Sequence, residues 1–151
     1  MPQYHGRPDF PHDGSERIGV LLVNSGSPDS PRARDIRRFL RGLLGDPRVV
    51  ELPRWLWLPI LHGLILPLRP LRSARRYREM FAAGHSPLLS LSGELRGALE
   101  QQLAPRFAAP AAVALGMLYS KPSVRDAIVR LVDEAGARRL LVVPLFAQYS
   151  G

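Results

Sequence analysis

The hydrophobic positions along the 151-residue chain fall into two alternating patterns. Three short runs, residues 18–23, 110–118 and 139–145, are almost continuously apolar. Each is followed by a loop signal, and each pattern is typical of a strand buried on both faces of a sheet. Because helical segments separate the runs, they predict an α/β fold with a parallel sheet and helices on both of its faces.

Residues 31–44 predict the first helix. Ser30 is the expected N-cap, Pro31 fits the first helical position, and Gly45 begins the turn that stops the helix. The apolar residues on its expected inward face are Ile36, Phe39, Leu40, Leu43 and Leu44. Their spacing is that of one helix face packed on a core.

Two more helices follow the same spacing. One runs through residues 94–103, and either Ser86 or Ser90 is a suitable cap for it. The other covers residues 124–134 and is closed by Gly136. Its expected inward residues are Ala127, Ile128, Leu131 and Val132.

The segment between the first two helices has a different character. Residues 55–68 form an uncharged apolar run that contains Pro59, Gly63 and Pro67, and it is too short to span a bilayer, which needs about 20 residues. Five arginines follow, at positions 69, 72, 75, 76 and 78. This succession predicts an amphipathic hairpin or lip. It is either a core helix with a solvated basic face, or a cleft wall for a flat, apolar, acidic ligand or a lipid surface.

Composition removes several classes of protein. An apolar content of 46% supports one packed domain, and the absence of cysteine excludes disulfide scaffolds, thiolate metal sites and cysteine nucleophiles. The net charge of +8 permits anionic partners, but no nucleic-acid motif accompanies the arginines, so no nucleic acid is expected. Residues 1–17 are polar and predict a disordered tail without a secretory signal, which favours a cytoplasmic protein.

Hydroxyl side chains follow all three predicted strands. They lie in loops 24–28, 118–123 and 146–151, and the carboxyl ends of parallel strands are where such sheets bind ligands. The first loop is not a dinucleotide fingerprint, because it lacks the spaced glycines and Pro28 has no N–H to offer a phosphate. Neither a histidine pair with metal-ligand spacing nor a Ser–His–Asp grouping is readable. The pattern therefore predicts one binding site and assigns no catalytic or metal residue.

Four strings along the chain resemble ferrochelatases, in the order and spacing of that family. They are IGVLLVNSGSPDSP, FLRGLLGDPRVVELPRWLWLPILHGLILPLRPLRSARRY, GHSPLL and VVPLFAQYS, within residues 18–150. The resemblance implies two Rossmann-like lobes around a porphyrin cleft, and insertion of ferrous iron into protoporphyrin IX with release of two protons. Iron is then a substrate, and no cofactor is expected. The family's bacterial members are cytoplasmic or loosely bound to the inner membrane face.

The resemblance also implies which residues bind the porphyrin. They are Ser25, Arg76, Tyr77, Ser86, Tyr149 and Ser150. Residues 52–78 match the family's porphyrin-cleft lip and are called the lip segment below. Tyr77 is alternatively a packed helix aromatic, and Ser86 alternatively only a helix cap. Four positions depart from the family pattern: Ser25 replaces a bulkier residue, Leu118 a basic one, Ala147 a proline and His85 a glycine.

Ferrochelatases are longer than this chain. The resemblance implies that their catalytic histidine and assisting glutamate lie in a second half that these residues do not match. Residues 18–151 are therefore expected to be an N-terminal lobe with an incomplete sheet, inactive alone and completed by a C-terminal half in cis or in trans. Two alternatives are a half-length chelatase that pairs with itself and a non-catalytic module that binds porphyrin or a membrane surface. Formation of metalloporphyrin from iron and porphyrin distinguishes the two enzyme hypotheses from the non-catalytic binding module.

Overall fold

The three predicted strands form one parallel sheet. A computed structural model describes residues 17–81, 84, 86–107 and 111–146. The strands are β1 (Ile18–Asn24), β2 (Ala112–Met117) and β3 (Arg139–Pro144), in the order β2-β1-β3. The predicted parallel α/β fold is thus confirmed. Apart from Arg17, the predicted tail lies outside the described residues.

Five α-helices accompany the sheet in the part of the chain that the structure describes. They are α1 (Ala33–Gly45), α2 (Arg54–Ile60), α3 (Leu66–Met80), α4 (Pro87–Leu103) and α5 (Val124–Val129). A π-helical turn, Leu61–Ile65, joins α2 to α3, and a second one, Arg130–Glu134, extends α5. Within these described segments, no helix has the length and apolar character needed to cross a membrane.

The central strand β1 is covered on both faces. Leu21 and Val23 pack with Leu131 of the second π turn, while Val20 and Leu22 pack with residues of α4. Successive side chains of a strand point to opposite faces, so a strand covered on both sides must be apolar at every position. This is why residues 18–23 form an uninterrupted apolar run.

The third strand is not buried as its sequence predicts. β3 is an edge strand, and Leu141 and Val142 expose 57% and 54% of their surface. The packed helices make their contacts with β1 and β2, which leaves β3 largely uncovered. An apolar run identifies a strand that can be buried, but the covering elements decide whether it is.

Two details of the predicted helices are also wrong. Ser30 does not cap α1, because its hydroxyl accepts a hydrogen bond from the Arg32 N–H at 3.2 Å and the helix begins only at Ala33. Ile128 does not face inward. Ala127 and Leu131, four positions apart, face the sheet, and this places Ile128 on the solvent side of a narrow contact stripe.

The lip segment is one nearly continuous helical rod rather than a hairpin. Pro67 cannot donate an intrahelical hydrogen bond, and its ring clashes with the carbonyl four residues earlier. The preceding turn widens instead, and the Leu66 N–H bonds to the Leu61 carbonyl five residues back. Pro70 removes the usual donor to the Leu66 carbonyl. Arg37 of α1 supplies a replacement, with its Nε donating at 3.0 Å.

The lip segment packs along α1. Ile36, Phe39 and Leu40 of α1 form a buried cluster with Leu61 and Leu66. Leu61 is completely buried although it lies in the π turn. The same rod therefore has a core-facing side fixed to α1 and an outer side that carries apolar residues and arginines.

Candidate functional site

The first two predicted site loops meet at the carboxyl edge of the sheet. The backbone of Asn24 and Ser25 accepts two hydrogen bonds, from the N–H groups of Leu118 at 2.9 Å and Tyr119 at 3.1 Å. The Asn24 side chain is buried, where it accepts the Ser25 N–H at 2.8 Å and donates to Ser92 of α4 at 3.3 Å. These bonds fix the backbone of Ser25 between β1, β2 and α4.

Gly26 allows the two loops to approach closely. Its φ of +100° is a conformation that L side chains rarely adopt, and a Cβ there would lie 2.4 Å from the Ser120 hydroxyl. That hydroxyl accepts a hydrogen bond from the Ser27 N–H at 3.2 Å. The hydroxyl-bearing loops predicted from the sequence therefore form one surface.

Two cavities border this surface. The larger, 380 Å³, lies against α1 and is lined by Ser27, Phe39 and Tyr119 among others. The smaller, 220 Å³, lies beyond the end of α3 and is lined by Phe81 and Ser86. Ser27, Pro28, Asp29, Ser120 and Lys121 line both cavities. The loops at the carboxyl edge thus form the wall that the two cavities share.

The charged groups around the larger cavity are already paired. Arg38 donates to Asp29, and it also contacts Asp35 at 3.3 Å. Lys121 pairs with Asp126 at 2.8 Å. The cavity therefore offers hydroxyls and apolar surface more than net charge, which suits a ligand with a large apolar body.

The predicted site residues divide into three groups. Ser25 is half-buried in the loop just described, and Ser86 is buried and lines the smaller cavity. Ser86 also occupies the N-cap position of α4, but its side chain makes no capping hydrogen bond. Tyr149 and Ser150 lie outside the described residues, together with most of the third predicted loop.

Arg76 and Tyr77 lie on α3 and point in different directions. Arg76 is exposed, whereas Tyr77 is half-buried, packs against the cluster between α1 and the lip segment, and contacts Phe81 edge to face at 6.4 Å. The interpretation of Tyr77 as a packed helix aromatic is therefore supported by its contacts. Phe81, which it supports, lines the smaller cavity.

Sequence reasoning missed a pair formed by Asp46 and Tyr119. The Tyr119 hydroxyl donates to Asp46 Oδ2 at 2.9 Å across 73 positions of sequence. In the sequence, Asp46 belongs only to the turn after the first predicted helix, and Tyr119 only to the loop after the second predicted strand. The residues next to Asp46 and Tyr119 in the sequence do not predict this contact, because it forms only when distant parts of the chain pack together.

The pKa values of both Asp46 and Tyr119 are shifted. The Arg48 N–H bonds to Asp46 Oδ1 at 2.8 Å, and this bond, the Tyr119 hydroxyl and nearby arginines hold the pKa of Asp46 below its usual 3.8. Burial, followed by the hydrogen bond to Asp46, raises the pKa of Tyr119. Asp46 is therefore an anion and Tyr119 a neutral donor at neutral pH.

The lowered pKa of Asp46 predicts an acid-sensitive contribution to stability. A carboxyl whose pKa is depressed by folding contributes its full stabilisation above the unfolded value of 3.8, and this contribution is lost as pH falls through the lower folded pKa. Asp46→Asn should cost about 1 kcal/mol near neutral pH and much less at an acid pH where the carboxyl is protonated in the folded protein as well. Urea denaturation of both proteins at the two pH values measures this. An equal loss at both would contradict the assignment.

The described residues at the carboxyl edge of the sheet supply groups that can bind a ligand. Within the ranges that the structure describes, no group of three or more histidine, aspartate or glutamate side chains is placed to hold a metal ion. His62, the one histidine in those ranges, is exposed on the lip segment. The geometry at the carboxyl edge supports binding of an apolar ligand by hydroxyls and backbone groups.

Comparison with known proteins gives a consistent result. The sequence model of a family described as Ferrochelatase matches residues 17–151. The ferrochelatase of Thioalkalivibrio sulfidiphilus is 44% identical over 149 residues, which is 99% of this chain and 40% of that protein. That of Bordetella pertussis is 48% identical over 140 residues, covering 93% of this chain and 38% of the relative.

A third relative carries a different substrate in its name. The coproporphyrin III ferrochelatase of Symbiobacterium thermophilum is 48% identical over 135 residues, covering 89% of this chain and 41% of the relative. The chain thus spans about 40% of the length of the curated relatives that it matches.

Proposed function

The chain belongs to the ferrochelatase family, and from this premise we propose that it forms the N-terminal part of a porphyrin cleft. In this cleft, ferrous iron replaces the two pyrrole protons of protoporphyrin IX and protoheme is formed. Iron and porphyrin are both substrates, and no resident cofactor takes part. The relatives that carry the name ferrochelatase support this assignment.

One observation carries the proposal beyond family membership. The lip segment is held along α1. Phe81, just after the lip segment, lines the smaller cavity together with Ser27 and Ser120. The apolar, arginine-bearing rod is thus followed, at Phe81, by a residue that lines a cavity together with the hydroxyl-bearing loops. A porphyrin needs the same combination, because its macrocycle is flat and apolar while its propionates are acidic.

The proposed roles of the residues follow from these positions. Ser25 lies where the resemblance places a side chain against the macrocycle, and a serine there bonds water or a propionate rather than pressing on the ring. Arg76 is exposed on α3 and suits a propionate. Ser86 lines the smaller cavity, and Tyr77 acts through Phe81. Tyr149 and Ser150 are proposed to complete the inner end of the site.

We further propose that proton acceptance and iron delivery depend on residues outside these 151. Metallation releases two protons and therefore requires a base near the pyrrole nitrogens. The described histidine, His62, lies on the lip segment and not at the sheet edge. The exposed apolar edge of β3 supports completion by a further segment of a ferrochelatase, attached or separate, because such edges accept another strand.

The test separates binding from chemistry. Both tryptophans, Trp55 and Trp57, lie in the lip segment, so protoporphyrin bound there should quench their fluorescence. Incubated anaerobically with protoporphyrin and ferrous iron, the chain alone should form no metalloporphyrin above the rate without protein. Adding the remainder of the Thioalkalivibrio relative as a separate polypeptide should start turnover. Turnover by the chain alone, as a dimer by size, would favour the self-pairing chelatase instead.

The choice of porphyrin rests on the outer side of the lip segment. Leu64, Leu68 and Leu71 expose 56%, 43% and 64% of their surface, and this favours the less acidic protoporphyrin over coproporphyrin. Sequence identity does not distinguish the two porphyrins, because the relative named for coproporphyrin III is 48% identical to this chain. Tryptophan quenching should give the lower dissociation constant with protoporphyrin. Tighter binding of coproporphyrin would reverse the assignment.

We also propose that the lip segment rests on an anionic membrane surface. Leu52, Leu56, Ile60, Leu64 and Leu68 recur every four residues and are all exposed, and arginines follow them. Apolar residues beside arginines are typical of interfacial helices. The chain should sediment with anionic vesicles, with a blue shift of tryptophan emission, and not with neutral ones. If the chain sediments with neither anionic nor neutral vesicles, this proposal is refuted, and the proposal for porphyrin binding is unaffected.

A further inference from the structure

Tyr119 links two parts of the molecule that the sequence keeps far apart. Its backbone N–H donates to the Ser25 carbonyl at 3.1 Å, and its side-chain hydroxyl donates to Asp46 Oδ2 at 2.9 Å. Ser25 belongs to the loop after β1, whereas Asp46 begins the turn that leads from α1 to the lip segment. One residue therefore bridges the sheet edge and the base of the lip segment.

The Asp46 end of this bridge is fixed to the start of the lip segment. Arg54, the first residue of α2, donates to the Gly45 carbonyl beside Asp46. Trp57 Nε1, one turn later, donates to the Leu44 carbonyl at 2.7 Å. Whatever holds Asp46 in place therefore also holds the first turns of α2.

The ring of Tyr119 packs beside α1 and also lines the larger cavity. It packs with the cluster between α1 and the lip segment. A Cβ placed at Gly42 would lie in ordinary contact with the ring, 3.7 Å from Tyr119 Cδ1, so the ring runs beside α1 at that glycine. The phenol is thus directed at Asp46 by packing as well as by its hydrogen bond.

We propose that Tyr119 is a positioning residue that sets the spacing between the Ser25 loop and the lip segment. These are the two walls of the porphyrin cleft described above, so the effect on ligand binding rests on the proposed function. The mechanical link does not, because it depends only on the contacts of Tyr119 and Asp46. Tyr119→Phe removes the hydroxyl and leaves the ring packing in place.

Hydrogen exchange measured by mass spectrometry on the whole chain tests the link. In Tyr119→Phe, amides of residues 54–65 should exchange about tenfold faster, while those of β1 and β2 keep their protection. Asp46→Asn should act in the same direction, and the double variant should exceed Tyr119→Phe only slightly because both changes break one bond. Unchanged exchange at residues 54–65 would overturn the proposal.

Ser123→Ala serves as the matched control. It removes the hydroxyl that caps α5 and bonds to the Asp126 N–H at 3.1 Å, so it lowers stability without contacting the lip segment. If Ser123→Ala accelerates exchange at residues 54–65 as much as Tyr119→Phe does, the effect is a general loss of stability and the link is refuted.

Protoporphyrin titration then tests the consequence for binding. Tyr119→Phe should raise the dissociation constant about five- to tenfold. Faster exchange with unaltered affinity would overturn the role of Tyr119 in binding. Absence of porphyrin binding by the unmodified chain would instead refute the proposed function, and the exchange data would still decide the mechanical link.

Discussion

Replacement of Gly26 by alanine is expected to lower the free energy of unfolding by about 2–4 kcal/mol. Two effects combine at this position. The φ of +100° is strained for any residue with a Cβ, and the added carbon would lie 2.4 Å from the Ser120 hydroxyl. The Ser120 backbone N, at 3.3 Å from the same Cβ, limits how far that loop can move aside.

Urea denaturation of Gly26→Ala against Gly93→Ala measures this. Gly93 lies in α4, and nothing is within 4 Å of a Cβ placed there. Alanine in a helix interior is favoured over glycine by up to about 1 kcal/mol, so the control should be stabilised. The two substitutions are chemically identical and should have opposite signs. A Gly26→Ala protein as stable as the unmodified one would mean that the two loops are not packed together.

Leu61→Ala is expected to cost about 2–5 kcal/mol, the range for a fully buried leucine whose removal leaves a cavity. Leu61 is completely buried where the π turn of the lip segment meets Ile36 and Phe39 of α1. The neighbouring side chains are held by two packed helices, and this limits how far they can collapse into the space.

Leu64 in the same π turn provides the matched control. It exposes 56% of its surface, so Leu64→Ala should change stability by less than about 0.5 kcal/mol. Chemical denaturation compares the two variants. The proposals for the outer side of the lip segment predict the reverse order for function, with Leu64→Ala weakening vesicle and porphyrin binding while the fold stays intact. A large loss of stability in Leu64→Ala would mean that this leucine belongs to the core.

Local pattern predicted the elements with strong periodicity. The alternation of buried and helical segments predicts the parallel sheet, and Ile36, Phe39 and Leu40 are buried as their spacing requires. The lip segment was harder to predict. Pro67 and Pro70 are helix breakers in isolation, and the rod survives them because of a π turn and the hydrogen bond from Arg37, 29 positions from its acceptor.

The candidate site shows the same division. Placing hydroxyl-bearing loops at one sheet edge needs only the rule that parallel strands share a carboxyl end, and the loops after β1 and β2 do meet. Tyr77 and Ser86 followed from the resemblance, but only their contacts show that Tyr77 is packed and that Ser86 lines a cavity.

The sequence by itself determined the fold class, the extent of most strands and helices, and the family to which the chain belongs. These depend on patterns within a few residues or on strings of residues in order, which a linear chain records. The tertiary structure alone decided the continuity of the lip segment and the bridge from Ser25 through Tyr119 to Asp46. Each of these depends on which groups packing brings within hydrogen-bond or van der Waals reach, and for Tyr119 and Asp46 that contact spans 73 positions.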